Sequence, residues 1–223
     1  MHPQRLAALS TLFVTSAIAA ESIVYIGTYT RKESKGIYAF RFEDTTGKMT
    51  PLGLVAETPS PSFLAIHPSG KFLYAVNEVD QFEGEKSGSI TAFSIDRASG
   101  KLTQLNAVSS KGRGPCHLNV DAKGQTLLVA NYGGGSIASY GIGADGKLSA
   151  AVSSIQHTGS SVNKGRQSEP HAHSINIDEK RKLAVVADLG LDKVFFYGLD
   201  SVKHTLTATP KYSVSTNPGS GPR

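Results

Sequence analysis

Residues 61–78 read PSFLAIHPSGKFLYAVNE, and the same outline returns as PCHLNVDAKGQTLLVANY at 115–132 and PHAHSINIDEKRKLAVVADL at 170–189. A further copy begins at Pro222. The four prolines are 54, 55 and 52 residues apart. Self-similarity at such a period marks a repeat architecture, and it takes precedence over any local assignment. Each copy starts with two short runs that alternate apolar and polar residues or are rich in β-branched ones. A turn then leads to a third alternating run (GSITAFSID, GGSIASYGI, DKVFFYGLD), and a Gly-Lys turn often precedes a fourth, as in KLTQLNAVS and KLSAAVSSI. Period-2 alternation between turn signals is the mark of strands. In the copy from Pro61 the strands are expected at 62–67, 72–77, 89–95 and 102–108. Four antiparallel strands in about fifty residues form one propeller blade, whose faces are buried only by neighbouring blades. A β-sandwich has no need of a repeating unit.

The expected fold is therefore all-β: a β-propeller of four-stranded antiparallel blades. The first copy has candidates for the second, third and fourth strands, at 23–28, 37–42 and 49–55, and none for the first. The chain thus holds about three and two-thirds blades, and the expectation is of a fragment that stops before the ring closes.

Upstream of the repeats, Arg5, the mostly apolar or small stretch Leu6–Ile18 and the Ala17-Ile18-Ala19 pattern match a secretory signal. The run is too short and interrupted to span a bilayer, which takes about 20 apolar residues. Residues 1–19 are assigned to the signal and 20–223 to the N-terminal part of one propeller domain, exported to a periplasm or secreted. Cys116 is the only cysteine, so no internal disulfide forms and core burial must supply stability. The formal charge is +5, but the lysines and arginines are scattered through turns. No basic stripe with interleaved aromatics points to nucleic acid, and no segment after the signal points to a membrane. A small anionic substrate suits the charge.

The blade geometry locates a site. The innermost strand starts, and the second strand ends, at the same mouth of the central channel. Pro61, Pro115, His171, His173 and Arg223 meet there with Asn77, Glu78, Asn131 and Asp188. The longest insertions, 79–87 and 159–169, fall on that face, where loops on a rigid scaffold carry function. His171 and His173 are two apart, so on a regular strand they point the same way. Three roles stay open for them: a general base with its helper, metal ligands completed by Asp188 or Glu78, or structural hydrogen bonding. His67, His157 and His204 read as turn or surface residues, Cys116 as a buried thiol, and Gly133-Gly134-Gly135 as a tight turn rather than a phosphate loop, since no helix follows.

Four stretches, VYIGTYT…KGIYAFRFEDTTGKM, VANYGGGSIASY, QSEPHAHSINIDEKRKLAVVADLGLDKVFFYGLD and the terminal GSGPR, resemble in order and spacing the lactonase family of seven-bladed propellers. That family includes the propeller type of 6-phosphogluconolactonase and the fungal carboxymuconate cyclase. The resemblance implies three further blades. It also implies that His173 is the catalytic histidine and that Arg223 is the arginine of a G-x-G-P-R-H motif, while Glu78 is the repeat equivalent of a family glutamate. The implied activity is hydrolysis of a sugar lactone, 6-phosphogluconolactone in the family's reference case. His173 would activate water, and Arg223 would stabilise the oxyanion or clamp a phosphate. His171, Asn131, Asp188 and Glu78 would contact the substrate, with no metal and no cofactor. The alternatives are a muconate-type lactonising activity and a non-catalytic exported binding propeller. The partner in each case is a small lactone or sugar acid; the sequence does not specify an oligomeric state.

Overall fold

The alternating runs become strands close to the expected positions in the computed structural model, which describes residues 21–223. The signal assigned to residues 1–19 lies outside them. Glu21–Gly27 (β1), Gly36–Glu43 (β2) and Met49–Glu57 (β3) form an antiparallel sheet in that order, with no fourth strand inside β1 among the described residues. The second sheet comprises Leu64–Ile66 (β4), Phe72–Asn77 (β5), Ser89–Ile95 (β6) and Leu102–Ser109 (β7). The third comprises Pro115–Val120 (β8), Thr126–Asn131 (β9), Ser136–Ile142 (β10) and Leu148–Gln156 (β11). In the fourth, Ala172–Asp178 (β12), Leu183–Asp188 (β13) and Lys193–Asp200 (β14) are followed by an outer position split between Thr205–Leu206 (β15) and Tyr212–Ser215 (β16). Pro210 sits in the break, where it has no N–H to give to a ladder. The only helical element among the described residues is a 3-10 turn at Leu189–Leu191, and no helix there is long and apolar enough to cross a membrane.

Burial follows position within the blade. All of β9 and nearly all of β5 are buried, because a neighbouring sheet covers each face. The outer strand β11 alternates between half-buried and exposed. Three apolar clusters fill the wedges between successive sheets, around Leu73 and Phe93, around Tyr74 and Tyr140, and around Ile175 and Tyr197. Each fully buried aliphatic or aromatic side chain contributes about 1.5–3 kcal/mol. The buried phenols still find acceptors: Tyr74 Oη donates to Gly146 O at 3.1 Å and Tyr140 Oη to Ser109 O at 2.8 Å.

On the face away from the mouth, polar contacts join one blade to the next. His67 Nε2 meets Gly124 O at 2.9 Å, Ala122 N donates to Glu179 Oε1 at 2.8 Å, and His204 Nδ1 meets Thr126 Oγ1 at 2.8 Å. His67 and His204 thus bridge neighbouring blades instead of standing free at the surface.

Two inner strands carry an irregularity at the mouth. Pro115 pairs with Asn131 and His117 with Ala130, so Cys116 has no partner of its own. Ala172 pairs with Asp188 and Ser174 with Ala187, which leaves His173 in the same situation. An extra residue of this kind breaks the alternation and re-aims a side chain.

Candidate functional site

The bulges aim Cys116 and His173 into a pocket of about 260 Å³ whose other lining residues are Tyr29, Ser62, Glu78, Tyr132, Arg166 and Arg223. This is below the ~300–1,000 Å³ of sites for drug-sized ligands, and it suits a small polar molecule. Among the described residues, no three His, Cys, Asp or Glu side chains cluster as a metal site would require.

Every blade contributes. Tyr29 Oη, from the loop after β1, and Ser62 Oγ, from the start of the second blade, both donate to Glu78 Oε2 just after β5, at 2.8 and 2.5 Å. Glu78 is thereby held as a fixed acceptor. Burial pushes the Cys116 thiol up to about 12, with Glu78 acting in the same direction, so the thiol stays protonated. Its Sγ lies 3.3 Å from His173 O, a contact that backs the bulge. Tyr132 meets the His173 ring edge-on at 5.5 Å and receives a hydrogen bond from Arg166 at 3.3 Å. Among the described residues neither Arg166 nor Arg223 forms an ion pair.

His173 is half-buried. Burial is the largest influence on its proton affinity and pushes it below the ordinary histidine value; Arg223 and Arg166 act in the same direction, while a backbone hydrogen bond and Glu78 oppose them without reversing the net shift. The imidazole is therefore neutral at neutral pH and able to accept a proton. His117, beneath it, is also shifted down by burial and by His173; it packs on Phe63 at 4.3 Å and accepts from Ile175 N at 3.3 Å.

The structure separates the remaining expected site residues from this group. His171 and His173 do not share a direction, because the bulge intervenes between them. His171 stacks flat on Tyr132 at 4.4 Å with Nδ1 2.8 Å from Tyr132 O, and it is absent from the pocket wall. Asn131 is fully buried, donates to Ser110 O and Ser136 Oγ at 2.9 and 3.0 Å, closing the turn after β9, and is absent from the pocket wall. That turn is tight. A Cβ on Gly135 (φ 62°) would lie 2.5 Å from Pro170 O, so the glycines seat the strand that carries the histidines.

Asp188 is also fully buried. It accepts from His171 N at 2.9 Å, Leu191 N at 3.1 Å and His157 Nδ1 at 2.6 Å, and His157 Nε2 in turn meets Tyr197 Oη at 3.1 Å. His157 is thus a core residue, contrary to the surface role its place at a strand end suggests. Asp188 is committed to this buried network and is absent from the pocket wall. We expect Asp188→Ala to cost about 3 kcal/mol or more, because several buried donors lose their acceptor at once. The shift in thermal unfolding midpoint of the full chain measures this.

Arg166, Tyr29 and Ser62 are not among the expected site residues, whereas Tyr132 is expected at this mouth beside Asn131. Arg166 lies in the 159–169 insertion, which had been placed at this mouth, and Tyr132 follows Asn131 directly. The cations of that insertion, Lys164 and Arg166, are the signal in the sequence that points to Arg166.

Comparison with known proteins matches residues 23–223 to a family model described as Lactonase, 7-bladed beta-propeller. A Bacillus subtilis protein named 6-phosphogluconolactonase is 35% identical over 90% of this chain and 55% of its own. A solved structure from Bacteroides fragilis superposes with a TM-score of 0.85 at 36% identity, covering 93% of this chain and 58% of that one. The structure of a Pseudomonas aeruginosa periplasmic gluconolactonase superposes at 0.80 with 33% identity, covering 92% and 58%. The chain spans about half the length of the curated relatives it matches.

Proposed function

We propose, because the chain belongs to the Lactonase family of seven-bladed β-propellers, that its mouth pocket opens sugar lactones by hydrolysis. The observation that carries this reading is a neutral, half-buried His173 facing two guanidiniums without ion-pair partners among the described residues, in a pocket of small-molecule size. His173 takes a proton from water as its oxygen attacks the lactone carbonyl carbon. The carbonyl oxygen becomes an oxyanion, which Arg223 and Arg166 stabilise. The carbon–oxygen bond of the ring then breaks, the proton on His173 passes to the departing alkoxide, and a hydroxy acid results. Glu78, fixed by Tyr29 and Ser62, accepts from substrate hydroxyls.

Relatives named 6-phosphogluconolactonase and periplasmic gluconolactonase support a gluconolactone as the substrate. The signal pattern at 1–19 and the periplasmic relative favour export, which the N-terminal mass of the mature protein checks.

The test is ring opening of glucono-1,5-lactone and its 6-phosphate by the full chain, followed in a pH-stat. Two proton-affinity effects fix the sign of the pH dependence. Protonated His173 is inactive as a base, and its affinity for the proton is lowered. The acid limb of kcat/KM therefore falls below pH 6.5, the ordinary histidine value. No turnover of either lactone defeats the proposal, and a limb above that value defeats the assignment of His173.

A further inference from the structure

Asp192 follows the turn at 189–191 with a left-handed backbone (φ 52°) and is 4% exposed. Its Oδ2 accepts from Ser161 Oγ at 2.5 Å and Gly219 N at 2.7 Å, and its Oδ1 from Gln167 Nε2 and Gly221 N, both at 2.8 Å. Its carbonyl accepts from Thr216 N at 2.8 Å. Gln167 extends the knot, because its Oε1 accepts from Asn163 N at 3.0 Å and its Nε2 also donates to Leu189 O at 2.9 Å.

Three segments thus meet on one buried carboxylate. One is the 159–169 loop, where Arg166 adjoins Gln167. Another is the 216–221 segment, with Arg223 two residues beyond Gly221. The third is the turn leading into β14. Burial alone would raise the Asp192 carboxyl, but its hydrogen bonds outweigh that and hold it at about 2. All four donors are neutral, and among the described residues Asp192 forms no ion pair. The carboxylate's charge is therefore spent on ordering two loops rather than on cancelling a cation.

We infer that Asp192 is the positioning residue of the arginine pair: it fixes Arg166 and Arg223 relative to each other and to His173. It takes no part in lining the pocket, yet both loops that deliver a guanidinium to the pocket are tied to it. Stabilisation of developing charge depends on donors being in place before the reaction, so loosening this knot weakens both at once. The catalytic consequence rests on the lactone-hydrolysis reading; the effect on His173 does not.

The experiment is Asp192→Asn in the full chain. Asparagine keeps the size but places N–H donors where acceptors are required. Substrate-free NMR titration of the His173 ring is the first readout. His173 faces Arg166 and Arg223 from the loops, Glu78 after β5, Cys116 and His117 from β8, and Tyr132 after β9. Releasing the guanidiniums removes part of the downward push, so the His173 midpoint rises. The second readout is kinetic. We expect kcat for gluconolactone to fall about tenfold, the scale of a weakened oxyanion contact. In an Arg223→Ala background the same substitution costs only roughly twofold, because the two act through one element. If Asp192→Asn does not fold, Ser161→Ala removes one of the four donors and gives the same upward shift at smaller size. An unmoved His173 midpoint in a folded variant overturns the inference. A raised midpoint in a protein that hydrolyses no lactone upholds the positioning role while overturning the lactonase reading.

Discussion

Replacing His173 with alanine lowers kcat for lactone opening by about 10²-fold or more, the usual scale of lost general-base catalysis. The substitution should leave the fold intact, because His173 is the unpaired residue of a bulge and contributes no ladder pairing. KM changes little, since glutamate, tyrosine and arginine still line the pocket. The acid limb of the pH profile disappears with the imidazole, and this separates loss of the base from a general disturbance of the pocket. His171→Ala is the internal control. Its ring stacks on Tyr132 and does not line the pocket, so its loss costs less activity. A His173→Ala protein with unchanged kcat would remove the base from the mechanism and favour a binding role for this mouth.

Removing Arg223 is the second large effect. Arg223→Ala is expected to reduce kcat by about 10²–10³-fold, the scale of losing one oxyanion donor. Arg223→Lys should recover only part of the loss. Lysine restores the charge but not the planar fork that offers two parallel N–H groups to a carboxylate, phosphate or oxyanion. The two substitutions together distinguish geometry from charge, as measured by kcat against ionic strength and substrate. Equal activity of the Lys variant and the unaltered protein would show that Arg223 supplies field alone. Arg166 adds a second cation on the same pocket, so Arg223→Ala leaves residual activity instead of none.

Much of this architecture can be read from the sequence because a repeat states its own boundaries. The runs at 72–77 and 89–95 are strands with those bounds, and the missing inner strand of the first blade is missing among the described residues. Alternation also places the start of the inner strands and the end of the second strands at one mouth, where His173, Glu78 and Arg223 meet. Alternation fails where the strand itself departs from it. A bulge has no composition signal, so spacing alone gives His171 and His173 a common direction they do not have. The polar residues ending β9 and β13 look equally available, yet Asn131 donates to a backbone carbonyl and Asp188 accepts from backbone N–H groups. Only hydrogen-bond accounting, which requires coordinates, tells a polar residue that closes a loop from one that faces solvent. Arg166 was hidden for a different reason, since an irregular insertion has no period to show which of its side chains turns inward.

The contacts at His67, Glu179 and His204 have an implication for how such a molecule can change. They join successive blades at the end remote from the pocket, using turns that contribute nothing to it. The wedge angle between neighbours is thus pinned at this end as well as at the mouth, where His157 meets Asp188 and Gly114 N donates to Val79 O. A mouth loop can be exchanged between its own anchoring residues, such as Val79 and Glu85, without either set of joints registering the change. A scaffold jointed in this way can acquire new ligands by loop replacement alone, and grafting a foreign segment into 80–84, between Val79 and Glu85 that hold the connection to the next blade, should leave the neighbouring blades at their present angles.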